Sequence, residues 1–174
     1  MVCKCALSLN FILPFFNILF NVIKYVIVYL SKGVFKIMAN LEKYKGIIPA
    51  FYACYDEEGN VSPERVRALT EYHIRKGVKG VYVGGSSGEC IYQSVEERKC
   101  ILENVMAEVK GQVTVIAHVA CNNTADSQTL AAHAESLGVD AIASIPPIYF
   151  HLPEHGIAQY WNDISAAAPN TDFI

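Results

Sequence analysis

The sequence lacks two features that mark common classes of protein. It has no excess of positive charge, because 14 lysines and arginines stand against 17 aspartates and glutamates, for a formal net charge of −3 at pH 7. That balance argues against nucleic acid as a partner. Its six cysteines lack the paired spacing of a metal site, so we expect no bound metal. We interpret the cysteines beyond residue 50 as reduced thiols of a cytoplasmic protein.

Apolar residues are distributed unevenly along the chain. Residues 6–30 are almost wholly apolar, with Lys24 as the only charge, and a membrane-spanning helix needs about 20 such residues. Pro14 would weaken such a helix, and no small-residue cleavage site of a signal peptide follows the run. We interpret residues 1–37 as an upstream extension without native function and Met38 as the natural start. A genuine membrane anchor, which would tether the protein to a membrane, is the alternative.

Strand-like and helix-like patterns alternate through the rest of the chain. Strands are predicted to begin near residues 47, 81, 113, 141 and 172, which gives a repeat of about 30 residues, the size of one βα unit. This alternation indicates an α/β fold with a parallel sheet, and the even spacing favours a (β/α)₈ barrel over a doubly wound sheet. A complete barrel takes about 250 residues. We therefore expect residues 38–174 to form its N-terminal half, ending near strand five.

Helix start signals stand before the helical patterns. Ser62 followed by Pro63 is typical of a helix cap and a first helical residue. Ser94 and Glu97 have the spacing of a capping box, in which each side chain accepts a hydrogen bond from the other residue's backbone. Thr124 is predicted to cap the third helix.

A glycine-rich segment, Gly-Gly-Ser-Ser-Gly, occupies residues 84–88 after the second predicted strand. Its glycines allow backbone angles closed to other residues, so that successive N–H groups can converge on one point. Ser86 and Ser87 add hydroxyl donors there. The segment suits a small anion such as a carboxylate or phosphate; a tight turn that binds nothing is the alternative.

Three segments together resemble a known family. They are Gly-Val-Tyr-Val-Gly-Gly-Ser-Ser-Gly-Glu-Cys-Ile-Tyr-Gln-Ser from residue 80, Ile-Ala-His-Val-Ala-Cys from residue 116, and Pro-Ile-Tyr ending at Tyr149. In order and spacing they resemble the N-acetylneuraminate lyases, a branch of the dihydrodipicolinate synthase superfamily of pyruvate-handling aldolases on TIM barrels. Gly-Gly-Ser-Ser, where the synthase branch usually has Gly-Thr-Thr, and Ala-His-Val favour the lyase branch. The resemblance covers residues 38–174 and none of residues 1–37.

The resemblance implies a function and a set of site residues. It implies cleavage of N-acetylneuraminate (sialic acid) to N-acetylmannosamine and pyruvate, with pyruvate held as a Schiff base on a lysine and with no metal or organic cofactor. Ser86 and Ser87 would bind the pyruvate carboxylate, and Tyr149 would be the catalytic proton shuttle. A homotetramer is expected for a full-length member. A pyruvate aldolase of the dihydrodipicolinate synthase type is the alternative.

Two departures from the family bear on activity. Residues 53–55 read Ala-Cys-Tyr, where many relatives carry Thr-Pro-Phe, so a hydroxyl near the tyrosine is missing. The family's Schiff-base lysine lies on strand six, whereas the last lysine here is Lys110. We therefore expect the chain to be inactive alone. A truncated, non-enzymatic fragment is the alternative of a different class.

Overall fold

Four parallel strands form one sheet in the computed structural model, which describes residues 41–174. The strands are β1 (Gly80–Val83), β2 (Thr114–His118), β3 (Ala141–Ala143) and β4 (Asp172–Phe173), and they are neighbours in chain order. In register, Gly80 pairs with Thr114, Ile116 with Ala141, and Ala141 with Asp172. The predicted parallel sheet is confirmed, as are the predicted starts of its last four strands.

The first predicted strand forms only in part. Residues 47–51 run beside β1, where the Phe51 N–H donates to the Tyr82 carbonyl at 2.8 Å and the Tyr82 N–H donates to the Pro49 carbonyl at 2.9 Å. Only one parallel bridge forms, between Ala50 and Tyr82. This segment contains Pro49, which has no N–H to donate, and this limits the ladder that it can form.

Within residues 41–174, four α-helices alternate with the strands: α1 (Pro63–Arg75), α2 (Val95–Val109), α3 (Thr124–Leu137) and α4 (Glu154–Ala166). Ser62 caps α1, and Ser94 and Glu97 form the predicted capping box at α2. The prediction for α3 is wrong by one residue. Asn123 is the cap, because its side-chain oxygen accepts from the Asp126 N–H at 2.8 Å, whereas Thr124 is already helical.

Side chains on the two faces of the sheet separate into two apolar clusters. Residues that alternate along the strands, such as Val81, Val115 and Ile142, pack against the helices in the larger cluster. On the opposite face, Ile116, Ala141 and Ala143 are buried together with partly buried neighbours that include Tyr82. A sheet with apolar side chains on both faces is expected in a barrel, where one face lines the interior and the other contacts the helices.

Lys43 and Tyr44, the last residues of a short 3₁₀ helix (Leu41–Tyr44), lie at the edge of the sheet where the strands begin. The Tyr44 hydroxyl lies 2.8 Å from the Asp140 carbonyl and 2.7 Å from the Asp172 carboxylate, and the Lys43 ammonium lies 3.0 Å from the same carboxylate. Burial and the Asp172 contact raise the pKa of Tyr44 to about 12. These contacts tie residues 43 and 44 to the beginnings of β3 and β4.

Residues 1–40 lie outside the described part of the chain, and with them the apolar run at residues 6–30 and the predicted start at Met38. The boundary at residue 37 and the membrane-anchor alternative therefore stay predictions. Lys43–Ile174 forms one compact unit. Within residues 41–174, no helix is long and apolar enough to cross a membrane.

Candidate functional site

The segments that follow β1, β2 and β3 meet at one edge of the sheet. They are residues 84–94, 119–123 and 144–153, and they carry the glycine-serine turn, the Val-Ala-Cys-Asn-Asn segment and the loop that contains Tyr149. The carboxyl ends of parallel strands lie together, and barrel enzymes place their active sites there. The candidate site is therefore at this edge.

The glycine-serine segment forms a short 3₁₀ helix, Ser86–Gly88. The Gly88 N–H donates to the Gly85 carbonyl at 2.9 Å, and the Glu89 N–H donates to the Ser86 carbonyl at 3.0 Å. Because a trans peptide places its N–H opposite its carbonyl, the N–H groups of Ser86 and Ser87 point away from these engaged carbonyls. Hydrogen bonds among residues 41–174 leave both N–H groups without a protein acceptor.

Ser86 and Ser87 are both exposed residues, so a ligand can reach them from solvent. The Gly88 N–H cannot serve an anion there, because the turn already uses it.

Two of the glycines in this turn are required for different reasons. Gly84 has a φ of +72°, in the left-handed region that favours glycine. Gly88 lies so close to the neighbouring segment that a Cβ atom added there would be 2.7 Å from the Phe51 carbonyl oxygen. The first glycine provides the turn's conformation, and the second provides its close approach to residues 47–51.

His118 holds the start of the turn. Its Nδ1 lies 2.8 Å from the Gly84 carbonyl oxygen, and a carbonyl can only accept, so Nδ1 carries the proton. Burial and, secondly, the nearby charge of Arg98 lower the pKa of His118 to about 4, against the opposing effect of the bond to Gly84. The imidazole is therefore neutral at pH 7, with the lone pair on Nε2.

Arg98, in the first turn of α2, fixes the end of β2. Its guanidinium donates to the carbonyls of His118 at 2.7 Å and Ala120 at 2.8 Å, and it lies 3.1 Å from the Cys121 sulfur. The residue is 6% exposed. Among the described residues, no carboxylate lies within 4.0 Å of this cation.

Gln93 holds the other end of the turn. Its side-chain nitrogen lies 3.0 Å from the Gly88 carbonyl and 3.0 Å from the Tyr55 hydroxyl. Burial raises the pKa of Tyr55, and the Glu89 carboxylate acts in the same direction against the effect of Gln93. The turn is thus bound by one side chain at each end.

A cleft of about 270 Å³ opens beside the turn. Polar side chains in its lining include Arg98, His118, Asn123 and Asp126, and Ile145 and Pro147 supply part of its apolar wall. Ser86, Ser87 and Tyr149 do not line it. The cleft and the predicted carboxylate site therefore share an edge of the sheet and are not one cavity in the described part of the chain.

Tyr149 lies in the loop after β3, where its side chain is 79% exposed. Its ring packs edge-on against Phe150, with centroids 4.8 Å apart. The contacts of the described residues do not join its hydroxyl to Ser86 or Ser87. The catalytic role of Tyr149 stays a prediction that rests on the resemblance.

Lysines are absent from the segments that follow the described strands. Lys79 immediately precedes β1, and Lys110 caps the end of α2, so both lie toward the edge where strands begin. Lys99 lies on α2, where it pairs with Glu96 at 2.8 Å. None of these three lysines follows a strand, and the expectation that the chain lacks the Schiff-base lysine stays a prediction.

Sequence reasoning did not identify Arg98, His118 or Gln93 as site residues. The sequence did contain a pattern that could have identified Arg98. It lies three, four and seven residues before Ile101, Leu102 and Val105, on the same apolar face of the helix. A charged residue on such a stripe is buried by its own helix and needs polar partners. The partner of His118 lies 34 residues away and one partner of Gln93, Tyr55, lies 38 residues away, so these two contacts have no local sequence pattern.

Comparison with known proteins identifies the class. Residues 43–174 match the model of the dihydrodipicolinate synthetase family, and the chain belongs to this family. Among individual relatives, an N-acetylneuraminate lyase of Mediterraneibacter gnavus is 78% identical over 139 residues, which are 80% of this chain and 44% of the relative. One from Escherichia coli is 42% identical over 113 residues, 64% of this chain and 38% of the relative. The chain thus spans less than half the length of these curated relatives.

Solved structures give the same result. The wild-type sialic acid aldolase of Ruminococcus gnavus is 79% identical with a TM-score of 0.75, over 75% of this chain and 44% of that one. The N-acetylneuraminate lyase of Mycoplasma synoviae is 30% identical, also with a TM-score of 0.75, over 78% of this chain and 47% of that one. The predicted resemblance and the predicted α/β barrel fold are confirmed. The homotetramer stays a prediction.

Proposed function

We propose that this chain is part of a Schiff-base lyase that cleaves N-acetylneuraminate into N-acetylmannosamine and pyruvate, and that Ser86 and Ser87 bind the pyruvate carboxylate. A cytoplasmic location is part of the proposal. The observation that carries it is the exposed pair of serines, whose backbone N–H groups have no protein acceptor among the described residues. The 78% identity to the Mediterraneibacter gnavus lyase supports the choice of reaction.

The turn offers a carboxylate up to four donors, namely two hydroxyls and two N–H groups. Hydrogen bonds to a charged group are typically worth about 1.5–3 kcal/mol each. No cation touches the serines in the described contacts, so these donors would carry the interaction. The buried charge of Arg98 lies near Gly84 and adds a favourable potential for an anion.

The reaction needs an amine, an electron sink and a proton carrier. A lysine amine condenses with the C2 ketone of open-chain N-acetylneuraminate and releases water. The C3–C4 bond then breaks, its electron pair forms the enamine, and the C4 hydroxyl loses its proton as the aldehyde of N-acetylmannosamine forms. Protonation of the enamine at C3 and hydrolysis of the imine release pyruvate and restore the amine.

In this scheme Tyr149 carries the proton from the C4 hydroxyl, since a phenol can accept and donate in alternate steps. We propose that the amine belongs to the part of the relatives' barrel that this chain does not span. The proposal is supported by the Ruminococcus gnavus sialic acid aldolase, a relative whose catalytic lysine mutant has a solved structure.

The test uses a completed barrel, made by joining the full 174-residue chain to the remaining C-terminal part of the Mediterraneibacter gnavus lyase. In it, Ser87→Ala should weaken pyruvate binding by roughly tenfold to a hundredfold, the loss expected for one or more charge-assisted hydrogen bonds. Ser62→Ala is the matched control, because it removes a helix cap and lowers stability by about 1 kcal/mol without touching the site. Normal pyruvate binding by Ser87→Ala would make the turn purely structural.

Tyr149→Phe in the completed barrel should lower turnover while leaving pyruvate affinity and borohydride-trapped imine nearly unchanged, because its proton transfers come after imine formation. Tyr92→Phe is the control, since Tyr92 is 85% exposed in the segment after β1. Equal turnover in the two variants would remove Tyr149 from the mechanism.

The 174-residue chain by itself should form no pyruvate adduct on borohydride treatment, because no described lysine follows a strand. Mass spectrometry of tryptic peptides measures this directly. A stable adduct on any lysine of the chain would contradict the expectation and would identify a different nucleophile.

A further inference from the structure

We propose that His118 is a positioning residue for the carboxylate-binding turn, and that Arg98 holds it in place. The inference rests on the proposed function of Ser86 and Ser87. It assigns His118 no contact with the substrate. Its role is to set the orientation of the peptide group from which the turn begins.

His118 Nδ1 donates a hydrogen bond of 2.8 Å to the Gly84 carbonyl, which lies 34 residues earlier in the chain. Gly84 has a φ of +72° and no side chain, so its backbone has more freedom than that of any other residue type. The peptide between Gly84 and Gly85 immediately precedes the helix Ser86–Gly88. A donor that fixes this peptide plane therefore restrains the start of the turn and, through Gly85, the direction in which the following N–H groups point.

His118 is itself restrained by Arg98. Arg98 binds the carbonyl oxygens of both His118 and Ala120, and so holds the end of β2 at two points. An atom added at the Cβ position of Gly84 would lie 3.9–4.0 Å from two nitrogens of the same guanidinium. Arg98, His118 and Gly84 thus form one packed group. Arginine suits this place because its planar fork binds two acceptors at once, which lysine cannot do in the same geometry.

The protonation state of the His118 imidazole makes this hydrogen bond specific to one ring nitrogen. At neutral pH a buried, uncharged histidine has one N–H, and the Gly84 carbonyl requires it at Nδ1. The interaction is therefore specific to one ring position. Substitutions can therefore distinguish this hydrogen bond from simple packing. Asparagine can place an amide N–H near the position of Nδ1, whereas glutamine places it near the position of Nε2.

The experiment compares His118→Asn and His118→Gln in the completed barrel, with pyruvate as the probe. His118→Asn keeps the donor at the Nδ1 position and should bind pyruvate within about threefold of the unsubstituted protein. His118→Gln moves the donor and should weaken pyruvate binding about tenfold or more, the equivalent of losing one hydrogen bond. Melting temperatures of both variants are measured alongside.

Three results would overturn the inference. If glutamine preserves affinity and asparagine does not, His118 acts through Nε2, on the ligand side. If both variants bind normally, the histidine is packing. If both lose affinity in proportion to their melting temperatures, the position of the donor does not matter.

A measurement without substitutions guards against variants that do not fold. Nitrogen-15 spectra of histidine-labelled 174-residue chain should show His118 as the neutral tautomer protonated at Nδ1, and the opposite tautomer would contradict the hydrogen bond.

Ser87→Ala separates this inference from the proposed function. If Ser87→Ala weakens pyruvate binding and His118→Gln does not, only the positioning role fails. If neither weakens it, the carboxylate site itself is wrong.

Discussion

Replacing Gly88 with alanine tests whether the carboxylate-binding turn depends on its contact with residues 47–51. The added Cβ would lie 2.7 Å from the Phe51 carbonyl oxygen, a distance that real Cβ contacts essentially never show. Phe51 cannot easily move away, because it is 1% exposed and its N–H donates to the Tyr82 carbonyl at 2.8 Å. The turn, which is the more exposed partner, must therefore shift.

The expected size follows from two opposing effects. Overpacking typically costs about 1–3 kcal/mol, while alanine gains about 0.5–1 kcal/mol over glycine in a helical conformation. We expect a net loss of about 1–2 kcal/mol in the free energy of unfolding of the chain. Pyruvate affinity in the completed barrel should fall as well, because Ser87 is the adjacent residue. Urea unfolding followed by the fluorescence of Trp161, the single tryptophan, measures the first effect.

Gly77→Ala provides the matched control. Gly77 has a φ of +74° and no atom within 4 Å of the added Cβ, so the substitution strains the backbone without creating a contact. It should cost about 1–2 kcal/mol through its left-handed conformation and leave pyruvate affinity unchanged. The reasoning is refuted if Gly88→Ala unfolds at the same urea concentration as the unsubstituted chain and binds pyruvate equally well.

The remaining predictions concern stability and are measured by the same urea titration. Tyr160→Phe should cost about 1–3 kcal/mol, because the hydroxyl of this buried tyrosine donates to the Cys121 carbonyl at 2.8 Å; a loss below 0.5 kcal/mol would contradict that bond's role. Asn123→Ala should cost about 1 kcal/mol and Thr124→Ala clearly less, whereas the reverse order would restore Thr124 as the cap. The free energy of unfolding should fall by up to about 3 kcal/mol as the pH drops from about 6.5 to about 4, because the unfolded chain then binds a proton at His118 that the folded chain does not. His118→Asn should reduce this loss of stability in acid. An equal loss in the variant and the unsubstituted chain would contradict the low pKa of His118.

Interactions within a few residues could be predicted from the sequence. The capping box of Ser94 and Glu97 depends only on residues three apart, and the structure shows it as predicted. The single local error, Thr124 in place of Asn123, arose between adjacent residues that both have capping side chains. Asparagine ranks above threonine at this position, and either choice gives nearly the same helix.

The choice of fold also followed from the sequence. Apolar strand segments at intervals of about 30 residues require a parallel sheet with helical crossovers. The even repeat favoured the barrel, and the likeness to known lyase structures confirms it. The first strand was the exception. Its apolar pattern predicts a full strand, but Pro49 has no N–H to donate, and a single bridge forms.

The sequence by itself determined the alternating fold, the helix caps and the pair of serines on a glycine-rich turn, since each depends on the period or spacing of nearby residues. Only the tertiary structure decided what holds that turn. The bonds from His118 to Gly84 and from Arg98 to the end of β2 join residues 34 and 20–22 positions apart. Such contacts depend on strand register and on the packing of α2 against the sheet. No local pattern specifies them, because they form only when separate βα units are placed side by side.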